Sequence, residues 1–437
     1  MALPRGLLLS HPDGQSIPSS WVDGIGDSRL YQTRITHPST RHLVPRLWDR
    51  SRNLLSQVDP TRLCIDCFVV SQYRHVITSS FLVTYPALVT LRPTAAMAPT
   101  FADVVPIKQV SSHQYALNLE DEWCIGTVPN GGYVTSAFLV VARTHMSLTH
   151  STRSEPHPIN LHLEFLRRTC VGPALFTVKD VKLGSRISNL HIVLAQRQSP
   201  DDPSSPYQDE AEGYITMSNI STETGLSLPT NYTPYPPALP ADLVTLSSTG
   251  RDANYTSRPK DPFPQFRRAA QNIQMFLVRP DRRPSDHPKA MHDQWVRFAP
   301  NRNPNGRWTN DALGFLVDIF PQIVEKYVNP HLEEAELGQQ SADEGKPRQG
   351  NEKGPGATAK YWYPTLALNL EVKKLLPEEG AEWLFVRVKA KAIRNGRFDL
   401  DIEVWDTDNE LVATSSHSSL IMDSARNTSR KAKNVKL

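Results

Sequence analysis

A chain of 437 residues, 39% of them hydrophobic and 21% charged, is long enough for two or three domains and apolar enough to give them a sizeable core. Its formal net charge of +3 leaves no electrostatic footprint for nucleic acid. Four cysteines rule out a disulfide scaffold. No apolar run reaches eighteen residues, so an ordinary transmembrane helix, and with it stable membrane insertion, is not expected.

Residues 1–96 differ in composition from the remainder, with ten Arg and six Asp but neither Lys nor Glu. That bias is the one a mitochondrial transit peptide has. The length of the segment, and Arg74, His75 and Pro86 interrupting its apolar run Phe68–Val89, favour a poorly structured or over-extended leader, with Met97 as an alternative start. Within it, Cys64-Ile-Asp-Cys67 has redox or zinc spacing. A zinc site would need about two more ligands, so these are read as incidental thiols.

From residue 97 the sequence describes one unit written twice. Tyr115, Leu117 and Leu119 alternate as a half-buried strand does. The turn-rich Trp123–Asn130 leads into Gly131–Met146, whose Tyr133, Val134, Ala137, Phe138, Val140 and Val141 leave no polar face, the mark of a buried helix. Alternating strands follow, at Ile159–Phe165, Phe176–Val178, Leu190–Leu194 and Tyr214–Ser218, with Ser199–Glu210 as an exposed hairpin insertion. The first unit is assigned to 97–223. The Pro-, Ser- and Asn-rich 224–264 reads as an extended connector.

The second unit, 265–422, repeats the pattern. Met275–Val278 and Trp295–Phe298 are strand-like, Ala312–Val328 is helical, and Leu366–Val372, Trp383–Ala392, Phe398–Trp405 and Leu411–Ile421 are strands. The repeat is visible in letters: Leu161-His-Leu-Glu-Phe165 against Leu368-Asn-Leu-Glu-Val372. Gly131 and Leu161 are 30 residues apart, Ala312 and Leu368 are 56 apart, and removing the polar 26-residue stretch His331–Gly356 equalises the two. Residues 331–356 are therefore taken as a disordered insert, and 423–437 as a basic tail.

A strand, a helix apolar on all sides and a run of strands imply an antiparallel sheet wrapped around that helix, an α+β architecture. At this point the chain resembles a known family. Residues 113–422 are similar to the acyl-CoA thioesterase II (TesB-like) branch of the thioesterase-like superfamily. The matching stretches are Gly126-Thr-Val-Pro-Asn-Gly-Gly-Tyr133, Phe165-Leu-Arg167, Gly184-Ser-Arg-Ile-Ser188, Leu313-Gly-Phe-Leu-Val-Asp318, Glu382-Trp-Leu-Phe-Val-Arg387 and Leu411-Val-Ala413. The resemblance implies a double hotdog fold: two antiparallel sheets, each around a central helix, packed as a pseudo-dimer. It implies an acyl-CoA substrate, a role in fatty acid or lipid metabolism and no cofactor.

Thioester hydrolysis needs an activated water and donors for a developing oxyanion. Asp318 lies among Leu316, Val317, Ile319 and Phe320, where a carboxylate is costly unless paired or working, and the resemblance makes it the catalytic acid–base group. Asp311 is a weaker competitor that reads as helix-start chemistry. The resemblance gives Thr365 the task of holding the water. It places His417 where the family has Gln, although a slip of register would bring Ser416 or Ser418 there instead. A neutral His still donates one hydrogen bond and accepts another. Asn130, Gly131 and Gly132 open the first helix and offer unpaired amides to substrate or oxyanion. Trp123, Tyr133 and Phe138 read as acyl-channel lining or core. No metal-ligand spacing is found, and neither is a Gly-x-Ser-x-Gly elbow.

The expected function is hydrolysis of a fatty-acyl or polyketide-like thioester to acid and CoA. The alternatives are a non-catalytic acyl-binding protein, or acyl transfer or dehydration on the same fold, including in secondary metabolism. A cytoplasmic or, from Val435-Lys-Leu437, peroxisomal location is expected, or mitochondrial if the leader is used. Further homo-oligomerisation is left open.

Overall fold

The structure, a computed structural model, describes residues 98–428 apart from 201, 259–260, 262, 320–321 and 329–358. The leader with Cys64 and Cys67, the 331–356 insert and Val435–Leu437 lie outside the described residues.

The first unit begins with a hairpin, β1 (Lys108–Ser111) and β2 (Gln114–Leu119). A two-residue pair, β3 (Cys124–Ile125) and β4 (Val128–Pro129), turns the chain into helix α1 (Gly131–Thr149). Four long strands follow: β5 (His157–Phe165), β6 (Gly172–Leu183), β7 (Ser188–Arg197) and β8 (Tyr207–Ser218). They assemble in the order β2-β6-β7-β8-β5, every pairing antiparallel. Val134 to Ala142 of α1 are all buried, because the sheet curls around the helix and covers the sides a surface helix would show to water.

The connector departs from its expected extended form. It holds α2 (Leu243–Thr249), capped by the Asp242 side chain accepting from Thr245 N and closed by Gly250 at φ 74°. It also holds β9 (Tyr255–Ser257), which adds a strand to the sheet edge. Under this strap Leu246, Tyr255, Phe276, Trp295, Phe385 and Trp405 form a second, smaller core.

The second unit contains β10 (Ile273–Val278) and β11 (Met291–Phe298), then α3 (Leu313–Val317) and α4 (Gln322–Val328). The short β12 (Tyr361–Trp362) precedes β13 (Thr365–Val372), β14 (Leu384–Lys389), β15 (Ile393–Arg394), β16 (Arg397–Trp405), β17 (Leu411–Leu420) and β18 (Met422–Asp423). Their order, β11-β14-β16-β17-β13, reproduces that of the first unit. Antiparallel pairing of β5 with β13 joins the halves into one sheet of 14 strands. The molecule is a double hotdog. The pairing register is Leu161 with Leu370, His162 with Asn369 and Leu163 with Leu368, so the repeated letters of the sequence are the two strands that meet on the pseudo-twofold axis. His162 Nδ1 and Asn369 Oδ1 lie 2.7 Å apart there.

The second helix is not continuous over 312–328, as its apolar pattern suggests. It stops at Val317, and Asp318 is its C-cap at φ −110°, ψ 5°. Pro321 accounts for the break, since a helical proline lacks the N–H and collides with the carbonyl four residues back. Helices α1 and α3 cross with almost no side chain between them. A Cβ on Gly132 would come within 2.7 Å of Gly314 O, and one on Gly314 within 2.6 Å of Ser136 N. Phe315 N donates to Ser136 Oγ at 2.8 Å. Arg143 of α1 and Asp311 form a two-pronged ion pair beside this crossing, at 3.1 and 2.5 Å.

The end of the described chain is not loose. Residues 425–428 form one helical turn whose Asn427 is fully buried. Its side chain accepts from Thr127 N at 2.8 Å and donates to Ile125 O at 2.7 Å. A Cβ on Gly126, at φ 63°, would collide with it.

Candidate active site

The crossing of α1 and α3 brings the cap residue of one unit's helix to the first turn of the other's. Asp318 Oδ2 accepts from Gly132 N at 2.7 Å and from Asn130 Nδ2 at 3.2 Å. Its Oδ1 accepts from Thr365 Oγ1 at 2.7 Å. The side chain of Asp318 is only 7% exposed. Three donors and the positive end of a 19-residue helix offset the cost of burying a carboxylate in this place.

Asp318 and Thr365 therefore come together, and both line a cavity of about 470 Å³, a size suited to part of a small organic ligand. His417 stands behind them. It does not line the cavity, its side chain is 1% exposed, and its Nδ1 lies 3.5 Å from Asp318 Oδ1. Ser415 Oγ donates to Asn369 O at 2.6 Å, and His417 Nε2 lies 3.0 Å from the same hydroxyl. The hydroxyl has one proton and gives it to the carbonyl, so His417 Nε2 is the donor in that contact. The other ring nitrogen, Nδ1, is turned toward the carboxylate, and that buried atom has no hydrogen-bond partner. Ser416 and Ser418 point elsewhere in the alternation of β17: Ser416 is exposed, and it is Ser419, paired with Thr365, that reaches the cavity wall.

The residues opening α1 do not all offer free amides. Gly132 N and Asn130 Nδ2 are committed to Asp318, and Asn130 Oδ1 accepts from Tyr133 N at 3.1 Å. Gly131 is left facing the cavity, with an N–H that has no partner inside the helix. It must be glycine for proximity, since a Cβ there would sit 2.8 Å from Asp318 Oδ2. Trp123, Tyr133 and Phe138 are core residues, 2%, 0% and 0% exposed. Trp123 packs against Phe315 of the other unit with ring centres 5.0 Å apart.

Ile125, Phe165, Phe266, Leu366, Leu400 and Met422 give the cavity an apolar wall, and exposed Arg167 and Arg426, with half-buried Arg168, stand at its edge. A polar group that the sequence does not single out lies deeper. Arg267 Nη2 donates to Glu325 Oε1 at 3.1 Å and Tyr363 OH to the same oxygen at 2.8 Å. Burial, with Glu325 beside it, pushes the Tyr363 phenol well above its ordinary value, so it stays a donor. Glu325 had the signal used for Asp318, a carboxylate beside Ile323 and Val324.

The pseudo-axis shows that this site occurs once. Leu161 and Leu368 are equivalent, which makes Pro158 the counterpart of Thr365. Ile215 pairs with Leu161 as His417 pairs with Leu368. Helix α1 contains neither Asp nor Glu. The mirrored position thus carries Pro158, Ile215 and no helix carboxylate.

A double hotdog with the Asp318 carboxylate at the crossing of its helices defines the class. Comparison with known proteins agrees. The acyl-CoA thioesterase N-terminal domain matches residues 119–218 and the acyl-CoA thioesterase C-terminal domain residues 241–421. The thioesterase-like protein TwmA of Talaromyces wortmannii is 34% identical over 340 residues, covering 76% of this chain and 94% of that protein. Among solved structures, a candidate thioesterase II from Thermobifida fusca YX superposes with TM-score 0.53 at 17% identity, over 75% of this chain and 99% of that one. A conserved protein of unknown function with a hot dog fold from Alicyclobacillus acidocaldarius gives 0.51 at 18%, over 74% and 97%. At such identities these two speak for the fold alone. The chain belongs to the acyl-CoA thioesterase family.

Proposed function

We propose that the protein hydrolyses an acyl-CoA thioester, of fatty-acyl or polyketide-like type, with Asp318 as the group that activates water. The observation that carries this reading is a buried carboxylate on a cavity wall, fixed by a helix amide and by Thr365, with His417 Nδ1 beside it. A water held between the Thr365 hydroxyl and Asp318 gives up a proton to the carboxylate as its oxygen attacks the thioester carbon. The carbon–oxygen bond forms, the carbon–sulfur bond breaks, and the proton passes from Asp318 to the departing thiolate. Gly131 N–H faces the space where the carbonyl oxygen gains charge. His417 acts from behind, through Asp318, in the position of the family's Gln.

The apolar wall suits an acyl chain, and the Arg167, Arg168 and Arg426 guanidiniums suit the phosphates of CoA. Thiol release from an acyl-CoA chain-length series, compared between the native chain and Asp318→Asn, tests the proposal. A loss of at least about 100-fold in kcat is expected for removal of the base. Unchanged turnover in that variant removes Asp318 from the mechanism, and no thiol release from any chain length by the native protein leaves the acyl-binding reading.

A further inference from the structure

The far end of α1 holds a cluster that this chemistry does not use. His145 lies one turn before the end of the helix and His150 is its C-cap. Both face Asp180 of β6, with Nε2–oxygen distances of 2.9 and 2.8 Å. His113, in the β1–β2 turn, brings its own Nε2 to 3.2 Å from the same carboxylate. All three imidazoles present the same nitrogen, and the four ligand atoms lie within 4.8 Å of one another. The opposite nitrogens of two rings are also held: His145 Nδ1 lies 3.0 Å from the Tyr115 hydroxyl, and His113 Nδ1 2.9 Å from Ser112 Oγ.

We propose that His113, His145, His150 and Asp180 bind one zinc ion in a closed structural site. Three imidazole nitrogens and a carboxylate oxygen are a four-coordinate zinc donor set. Bonds of about 2.0–2.1 Å in a tetrahedron put ligand atoms roughly 3.4 Å apart, so the cluster closes on an ion with shifts on the order of 1 Å. His113 and His150, with side chains 42% and 17% exposed, have room for that movement, while His145 at 0% fixes the position. Hydrogen bonds at the far ring nitrogens are the arrangement that orients metal-bearing histidines. Four protein ligands leave no place for substrate. The ion ties the C-terminal end of α1 to β6 and to the β1–β2 turn, and so steadies a helix whose first turn, roughly 20 Å away along the axis, holds Asp318. The site is independent of the thioesterase reading.

The test uses the full chain without a histidine tag, stripped with a chelator and re-equilibrated with zinc or cobalt ions. One zinc per chain is expected by elemental analysis, with a melting temperature raised by the ion and a tetrahedral cobalt absorption band. Asp180→Asn and His113→Gln are expected to weaken zinc at least about 100-fold in competition with a chromogenic chelator and to lose the cobalt band. His113 is half exposed, so His113→Gln is expected to melt like the stripped native chain, which separates loss of the ion from loss of the fold. Substoichiometric zinc in the native chain, or undiminished affinity in both variants, overturns the proposal.

Discussion

Asp318 shows how one side chain can hold two units together and still face a cavity. One oxygen takes the first-turn amide of α1 and the other takes Thr365, so its direction is set from both sides of the helix crossing. On the proposed reading Thr365 contributes by its hydroxyl, which donates to Asp318, and not by its shape. Thr365→Ser is expected to keep most of the activity, and Thr365→Val, equal in volume, to lower kcat by about 100-fold with little change in KM. Steady-state kinetics on both variants check this; equal activity would show that the hydroxyl has no part. At this scale the sequence announced much. A carboxylate between Val317 and Ile319 and a glycine pair behind Asn130 are both legible. What was not legible is that they serve each other: Gly132 N and Asn130 Nδ2 bind the carboxylate instead of waiting for an oxyanion, because only the crossing of two helices from distant parts of the chain puts them in contact.

At the scale of elements, β11 carries polar residues into the interior. His292 is 7% exposed, and its Nε2 has no hydrogen-bond partner. Burial first, then the positive charges of Lys326, Arg283 and Arg258, hold its pKa well below the ordinary histidine value. The unfolded chain therefore binds more protons at this residue, and stability rises with pH across the window between the lowered native pKa and about 6.5. The melting temperature is expected to fall as pH drops from 7 to 5, and His292→Gln to flatten that fall. A slope identical in the variant would mean that other groups set it. The elements read from the sequence survive where periodicity is long, as in β5, β13 and α1. They fail where one residue overrides a pattern: Pro321 breaks an apolar stripe that otherwise reads as one helix. In the connector, Asp242 and Gly250 are proper helix start and stop signals, but the surrounding prolines hid them. The histidine cluster had no spacing to find, since His113, His145, His150 and Asp180 come from a turn, a helix, a cap and a strand.

Over the whole molecule the repeat is structural and not functional. The shared sheet is symmetric down to the Leu161–Leu370 and Leu163–Leu368 pairs, while the paired Asp318 and Thr365 are on one side only. Titration with a non-hydrolysable acyl-CoA analogue is expected to reach one equivalent per chain by calorimetry. Two equivalents would show that the face bearing Pro158 and Ile215 also binds. The doubling could be recognised in the sequence because the strands on the axis keep their letters. The loss of one site could be recognised only once those strands gave the register that makes Pro158 the partner of Thr365.

Asn427 closes the turn at Gly126 and Thr127, the latter 300 residues earlier in the chain. During synthesis the first unit must emerge and wait with that turn open, because its keystone is made 300 residues after Thr127. At about 5–20 residues per second, the delay is tens of seconds at most. A nascent or prematurely terminated chain can then assemble both curled sheets and still lack the seal on the cavity's rim.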